Sequence, residues 1–219
     1  MAVRKDGIDR SRRLLKVASE VFAEKGYRDT TVAEICRRAG SNVAAVNYHF
    51  GSKDDLYAAV WKNAFEETMA AYPPDGGLPG DPTAEERLHA LVYSLLHRIM
   101  DDGRLGHAGQ ILLREMSNPT EVIHQVRHDA IRPIRERTHQ IIGALLGPKA
   151  NEQQLRFCEL SVIHQCPAIG FRKGKGKLPP FSAGKQVTPE LIDALAGHIK
   201  RFSLAGIKAV RRDIEAGLH

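Results

Sequence analysis

An all-α fold in two domains is predicted by three observations. Ala, Leu, Arg, Glu and Gln abound, while alternating runs of Val, Ile, Thr and Tyr, the signature of half-buried strands, are few. Apolar residues recur instead at three- and four-residue spacing between capping signals. One stretch, PPDGGLPGDP at 73–82, cannot continue a helix and divides the chain into an N-terminal domain over 1–72 and a C-terminal helical domain over 83–219.

The elements follow in order. Residues 1–8 are short and charged, and Arg4 and Lys5 suit either a phosphate-seeking arm or a solvated tail. From Asp9 as N-cap, Leu14, Leu15, Ala18, Val21 and Phe22 define an amphipathic helix that Gly26 stops. Thr31 with Glu34 forms a predicted capping box. Val32, Ile35 and Ala39 then give a second helix its apolar face, and Gly40 ends it as a residue free to turn left-handed. Asn42 or Ser41 caps a third helix with Val43, Val46 and Phe50 inward and Ala44, Ala45, Asn47, Tyr48 and His49 outward. Ser52 with Asp55 opens a fourth, buried through Leu56, Tyr57, Val60, Trp61, Ala64 and Phe65, and ending near Tyr72. Lys53 in its first turn opposes the helix dipole, so helix stability does not explain it, whereas a phosphate bound there does.

Beyond the interruption, Thr83 opens a helix with Leu88, Leu91, Val92, Leu95, Leu96 and Ile99, ending around Asp102-Gly103. An apolar segment, Leu105 to Met116, follows. Asn118-Pro119 then marks a start, cap and first helical position, of a helix running to Leu146 and kinked at Pro133. Asn151 caps a helix through Cys166 whose apolar residues occupy several faces, so it must be covered on several sides. Residues 167–187 read as irregular, and the basic run Arg172, Lys173, Lys175 and Lys177 as a solvated loop. Thr188 and Pro189 open the last helix, with Leu191, Leu195, Ile199, Phe202, Ala205, Gly206 and Ala209 as a stripe rich in small residues. The last two helices look like halves of an interface, a four-helix bundle when doubled.

Composition narrows the partners. A chain of 219 residues is ample for a core. A formal charge of +6 favours a polyanion. Cys36, Cys158 and Cys166 are odd in number and lack CxxC spacing, which fits a reducing cytoplasm. The N-terminal MAVRKDGIDR has no apolar core for a signal peptide, and no window reaches the roughly 18 apolar residues of a membrane span. The expectation is a cytoplasmic chain without membrane contact.

The motifs T-V-A-E-I-C-R-R-A-G and N-Y-H-F-G-S-K-D-D-L-Y resemble the DNA-binding domain of the TetR family of transcriptional regulators, over roughly Arg10 to Phe65. The family usually has tyrosine two residues before His49, where this chain has Asn47, with Tyr48 beside it. In the second half, REMSNPT (114–120), IRP (131–133) and HIKRFSLAGI (198–207) are similar to the CecR-like subgroup. The resemblance implies a helix-turn-helix domain, a ligand-binding and dimerisation domain, and a homodimer that matches a palindromic operator on double-stranded DNA. On that reading Asn42, Ala44, Ala45 and Asn47 face base edges, and Thr31, Tyr48, His49 and Lys53 hold phosphates. A small-molecule effector is expected near Pro133, with His97, Arg114, Met116, His128 and Gln165 as lining residues.

Other chemistry finds little support in the residues. His124 and His128 stand four apart on one helix face, but no third ligand joins them at a recognised spacing, so no metal is expected. There is no GxSxG, no phosphate-cradling Gly-rich loop and no nucleophile with an evident partner, so neither an enzyme nor a cofactor is expected. The alternatives to a ligand-released repressor are a metal-binding helical enzyme and a protein-interaction module without DNA binding.

Overall fold

A computed structural model describes residues 2–100, 107, 110–111, 114, 119–166 and 187–218, and only the backbone of residues 2–8. Every regular element among them is helical. The helices are α1 (Ala2–Lys25), α2 (Val32–Ala39), α3 (Val43–Phe50), α4 (Lys53–Ala71), α5 (Ala84–Met100), α6 (His124–Leu146), α7 (Glu152–Ile163) and α8 (Pro189–Glu215). A 3₁₀ turn, Glu121–Ile123, precedes α6. No described helix is long and apolar enough to cross a membrane.

The chain forms two compact units, Met1–Thr68 with Asp102–His128, and Met69–Asp101 with Asp129–His219. In the first unit, Leu14, Ala18, Val21 and Phe22 of α1 are buried with Ile35, Cys36 and Ala39 of α2 and Val46 of α3. Leu56, Tyr57, Val60, Trp61 and Ala64 of α4 complete this core. Phe22 meets Tyr57 edge-on with ring centroids 4.7 Å apart, and Tyr27 lies 4.9 Å from the same ring. In the second unit, α8 packs along α5 and against α7. The pairs Lys208–Glu85 (2.7 Å) and His97–Asp193 (2.9 Å) fix α5 and α8 antiparallel. Cys158 and Cys166 are buried, and burial pushes the Cys166 thiol up to about 12, so both fill core.

Several expectations are corrected. The first helix begins at Ala2, not after an Asp9 cap: Gly7 is the weakest helix former before Asp9, and one glycine costs only about 1 kcal/mol. The side chains of Arg4 and Lys5 lie outside the described residues. Pro119 is not the first residue of α6, because Thr120 is extended (φ −117°, ψ 146°) and the α-helix begins at His124. Asn118, Asp102-Gly103 and the basic run at 172–177 lie outside the described residues. Pro133 sits inside a continuous α6.

Other signals are realised as read. Gly26 has φ +83° and donates its N–H to the Phe22 carbonyl. Thr83 and Glu86 form a reciprocal cap at the start of α5, as do Asn151 and Gln154 at the start of α7. Thr188 Oγ1 accepts from Leu191 N at the start of α8.

Candidate nucleic-acid interface

The turn between α2 and α3 is set by local chemistry. Thr31 is extended, and its hydroxyl accepts the Glu34 N–H at 3.2 Å. The other half of the expected capping box is missing, because the Glu34 carboxylate is held by Lys25 (2.6 Å) and Arg38 (3.0 Å). Those bonds, that from Lys25 foremost, hold the Glu34 carboxyl below its usual range. Gly40 then adopts φ +61°, ψ 41°, donating to the Arg37 carbonyl while Ser41 N donates to that of Cys36 at 2.9 Å. This pair of bonds is a Schellman motif, which ends α2 and redirects the chain within two residues.

Asn42 caps α3, its Oδ1 accepting Ala45 N–H at 2.8 Å. Val46 alone anchors the helix at full burial. Val43 is corrected from the core to the surface, at 46% exposure, because what covers α3 reaches Val46 but stops short of the preceding turn. Val43, Ala44, Asn47 and Tyr48 therefore form one exposed stripe, spaced i, i+1, i+4, i+5. Tyr48 is 85% exposed, its ring edge-on to His49 at 5.0 Å. Ala45, His49 and Phe50 are half-buried, and Thr31 and Asn42 are exposed. No residue of α3 is acidic. Its eight residues span about 12 Å, close to the width of a DNA major groove, about 12 Å.

At the start of α4, Ser52 N–H and Oγ both meet Asp55 Oδ2 (3.2 and 2.6 Å), and Asp55 N donates to Ser52 Oγ at 3.1 Å. The helix thus supplies its own N-terminal anion, and any phosphate contact there falls to the Lys53 ammonium. Lys53 Nζ sits 4.3 Å from the centroid of the Tyr27 ring, a cation–π contact that holds the charge in place. The Tyr27 hydroxyl donates to Asp54, and that bond, with burial and the Asp54 charge, pushes the phenol up to about 12. Sequence reading missed this contact of Tyr27 with Lys53, which their distance along the chain hid.

The residues expected around an effector are divided between the units. Arg114 and His128 belong to the first, where the Arg114 guanidinium donates to the carbonyls of Ala23 (2.9 Å) and Glu24. His97 and Gln165 belong to the second. His97 is buried, stacked on Tyr72 and bonded to Asp193, whereas Gln165 Nε2 donates to Ser161 O and Ser203 Oγ. Asp193 and Ser203 are ten residues apart on α8, or about 15 Å. Met116 lies outside the described residues.

A cavity of about 520 Å³ in the second unit is lined by Asp81, Pro82, Arg87, Pro133, Arg137 and Gln140 among others, and by none of the four described residues expected around an effector. Its cations are paired, Arg87 with Asp81 at 2.6 Å and Arg137 with Asp75 at 3.3 Å. Among the described residues no group of three or more His, Cys, Asp or Glu is placed to hold a metal.

Sequence reading also missed Arg98, on the buried face of α5. A cation's penalty for burial is several kcal/mol, while a position near a helix C-terminus returns about 1 kcal/mol, at most about 2. Its place in the last turn of α5 does not account for it.

Comparison with known proteins bears on both halves. The family described as "Bacterial regulatory proteins, tetR family" matches residues 14–60, and "HTH-type transcriptional dual regulator CecR, C-terminal domain" matches residues 84–207. The chain is 28% identical to the HTH-type transcriptional dual regulator CecR of Shigella flexneri over 186 residues, 77% of this chain and 78% of that one. Its fold is similar to a bacterial regulatory protein in the tetR family from Rhodococcus RHA1 (TM-score 0.66, 22% identity, 90% and 96% of the two chains covered). It is also similar in fold to the fatty acid degradation regulator FadR from Bacillus halodurans (TM-score 0.64, 16% identity, 89% and 98% covered).

Proposed function

Because the chain belongs to the TetR family of bacterial transcriptional regulators, we propose that it is a cytoplasmic homodimeric repressor released from a palindromic operator by a small molecule. The observation that supports DNA recognition best is the exposed stripe of α3, uncharged, carried on one buried valine and oriented by a Schellman turn. Residues 1–72 form the DNA-binding domain and residues 83–219 the effector and dimerisation domain.

Asn42, Ala44, Ala45 and Asn47 face base edges. With Asn42 Oδ1 engaged in the cap, Asn47 is the amide available for a bidentate bond to adenine. Val43 and Ala44 are placed to meet thymine methyls. Thr31 keeps its hydroxyl proton for a phosphate while its oxygen caps α2. Tyr48, His49 and Lys53 complete the backbone clamp.

Dimerisation runs through α7 and α8, whose Phe157, Leu160 and Phe202 are exposed apolar side chains. Effector binding lowers DNA affinity only by its differential affinity for the released state. The lever is α4, which runs from Lys53 in the first unit to Ala71 in the second.

A gel-shift titration against the DNA upstream of its own gene tests this. Asn47→Ala should lose about 1–3 kcal/mol of affinity, confined to the specific site. Lys53→Ala and Tyr48→Ala should weaken all DNA alike, and Lys53→Ala should lower the salt slope by about 1. An unchanged specific shift in Lys53→Ala and Tyr48→Ala sinks the contact assignment. No specific shift at low salt sinks the regulator reading.

A further inference from the structure

Arg98 is 5% exposed, at the last turn of α5 and beside the C-terminal end of α4, all within the second unit. Nε donates to the Ser94 carbonyl one turn back at 3.2 Å, and Nη1 sits against the Met69 sulfur. Nη2 meets no acceptor among the described residues. No carboxylate is among these contacts. Arginine does not escape burial by losing its proton: desolvation pulls it down only to about 10, far above neutrality. A thioether is a weak acceptor and a backbone carbonyl carries no charge, so the guanidinium is held but not neutralised.

A buried guanidinium whose Nη2 has no acceptor keeps donors for an oxyanion, which it binds through charge-assisted hydrogen bonds. We propose that Arg98 receives a carboxylate or phosphate group of the effector, an inference that rests on reading the chain as a ligand-released regulator. The site also has a way to report occupancy. Ser94, His97 and Arg98, at i, i+3 and i+4, all reach residues 69–72, where α4 ends. Ser94 Oγ donates to the Tyr72 carbonyl at 2.5 Å, the His97 ring stacks on Tyr72 at 5.0 Å, and Arg98 holds Met69. An oxyanion that draws the guanidinium to itself takes it from Met69. The change is thus made at the end of the helix that begins with Lys53.

The test uses the full chain and two readouts, thermal unfolding and release from the upstream DNA. Octanoate and benzoate are compared with octanamide and benzamide, and inorganic phosphate forms a separate arm. At least one anion should raise the melting temperature and release DNA, while its matched amide does neither. A response to phosphate alone assigns a phosphate group, and a response to octanoate or benzoate a carboxylate. Arg98→Met should lower the apparent affinity for that anion at least tenfold, with Arg98→Lys between the two.

Without any probe, Arg98→Met should melt at or above the wild-type temperature, because it removes an unbalanced buried charge. A clear fall in that temperature makes the guanidinium structural and overturns the proposal. Equal responses to acid and amide overturn it while leaving ligand release standing, and silence of all three anions overturns it too. Absence of a specific DNA shift in the untreated wild type is a failure of the regulator reading instead. The thermal measurements need no DNA and then decide Arg98 by themselves.

Discussion

Glu34 shows how one carboxylate can be claimed by the tertiary fold against a local rule. Three residues after Thr31, it is placed to reach back and close a capping box, yet it bonds Lys25 of α1 and Arg38 of α2. The exchange ties α2 to α1 across the base of the turn. Its consequence is a pH dependence of known sign. The hydrogen bond from Lys25, with the lesser effects of its charge and of Arg38, sets the folded pKa below the ordinary 4.5. A depressed carboxylate stabilises the fold above its unfolded value, and that contribution disappears as pH falls through the folded one. Glu34→Gln should therefore melt slightly below wild type at neutral pH, and the two curves should converge as pH is lowered past 4.5. A gap that persists in acid would place the effect in packing rather than charge.

At the scale of the element, α3 is aimed by the turn before it. Gly40 has φ +61°, and a Cβ added there would meet only the Arg13 guanidinium at 3.5 Å, an ordinary contact with a flexible group. The obstacle to a side chain is thus backbone conformation, about 1–2 kcal/mol for a left-handed L-residue. Gly40→Ala should lower stability by that amount. Because relaxing it breaks the bonds to Arg37 and Cys36, specific DNA affinity should fall further than stability does. Gel shifts at a temperature where both proteins are fully folded separate the two effects.

This turn was legible in the sequence because each of its signals acts within five residues: the Thr31, Asn42 and Ser52 caps and the Gly40 stop. Val43 was not, since helical spacing marks it as core and only the arrangement of neighbouring helices leaves it exposed. Arg98 stood in plain view, at i+7 from Leu91, but a lone cation in an apolar stripe has no meaning until its partners are known. Tyr27 was beyond reach for the same reason, its contact with Lys53 being made only by the fold.

For the whole molecule, the helical class and a helix-turn-helix half were readable from composition and spacing, whereas the assignment of residues 102–128 to the first unit depends on packing between distant segments. The proposed dimer is the property that acts at this scale. Phe202 is 66% exposed, and Ala205 and Gly206 extend its face at i+3 and i+4 with side chains small enough for close helix approach. Phe157 (57%) and Leu160 (51%) are the exposed apolar positions of α7, which packs against α8. Such side chains are stable in water only at a cost that a partner removes. Burying one phenylalanine returns about 1.5–3 kcal/mol, and a two-fold axis makes every contact twice. Phe202→Glu should therefore weaken the dimer by about 3–6 kcal/mol, or roughly two to four powers of ten in its dissociation constant. The subunit's own fold should survive, because an exposed side chain supports little of it, so helical content and melting of the monomer serve as the control. Sedimentation equilibrium should show monomer at concentrations where wild type is dimer. Binding to a palindromic site should become steeply dependent on protein concentration, while contact with each half-site is retained. A Phe202→Glu protein that stays dimeric would remove α8 from the interface.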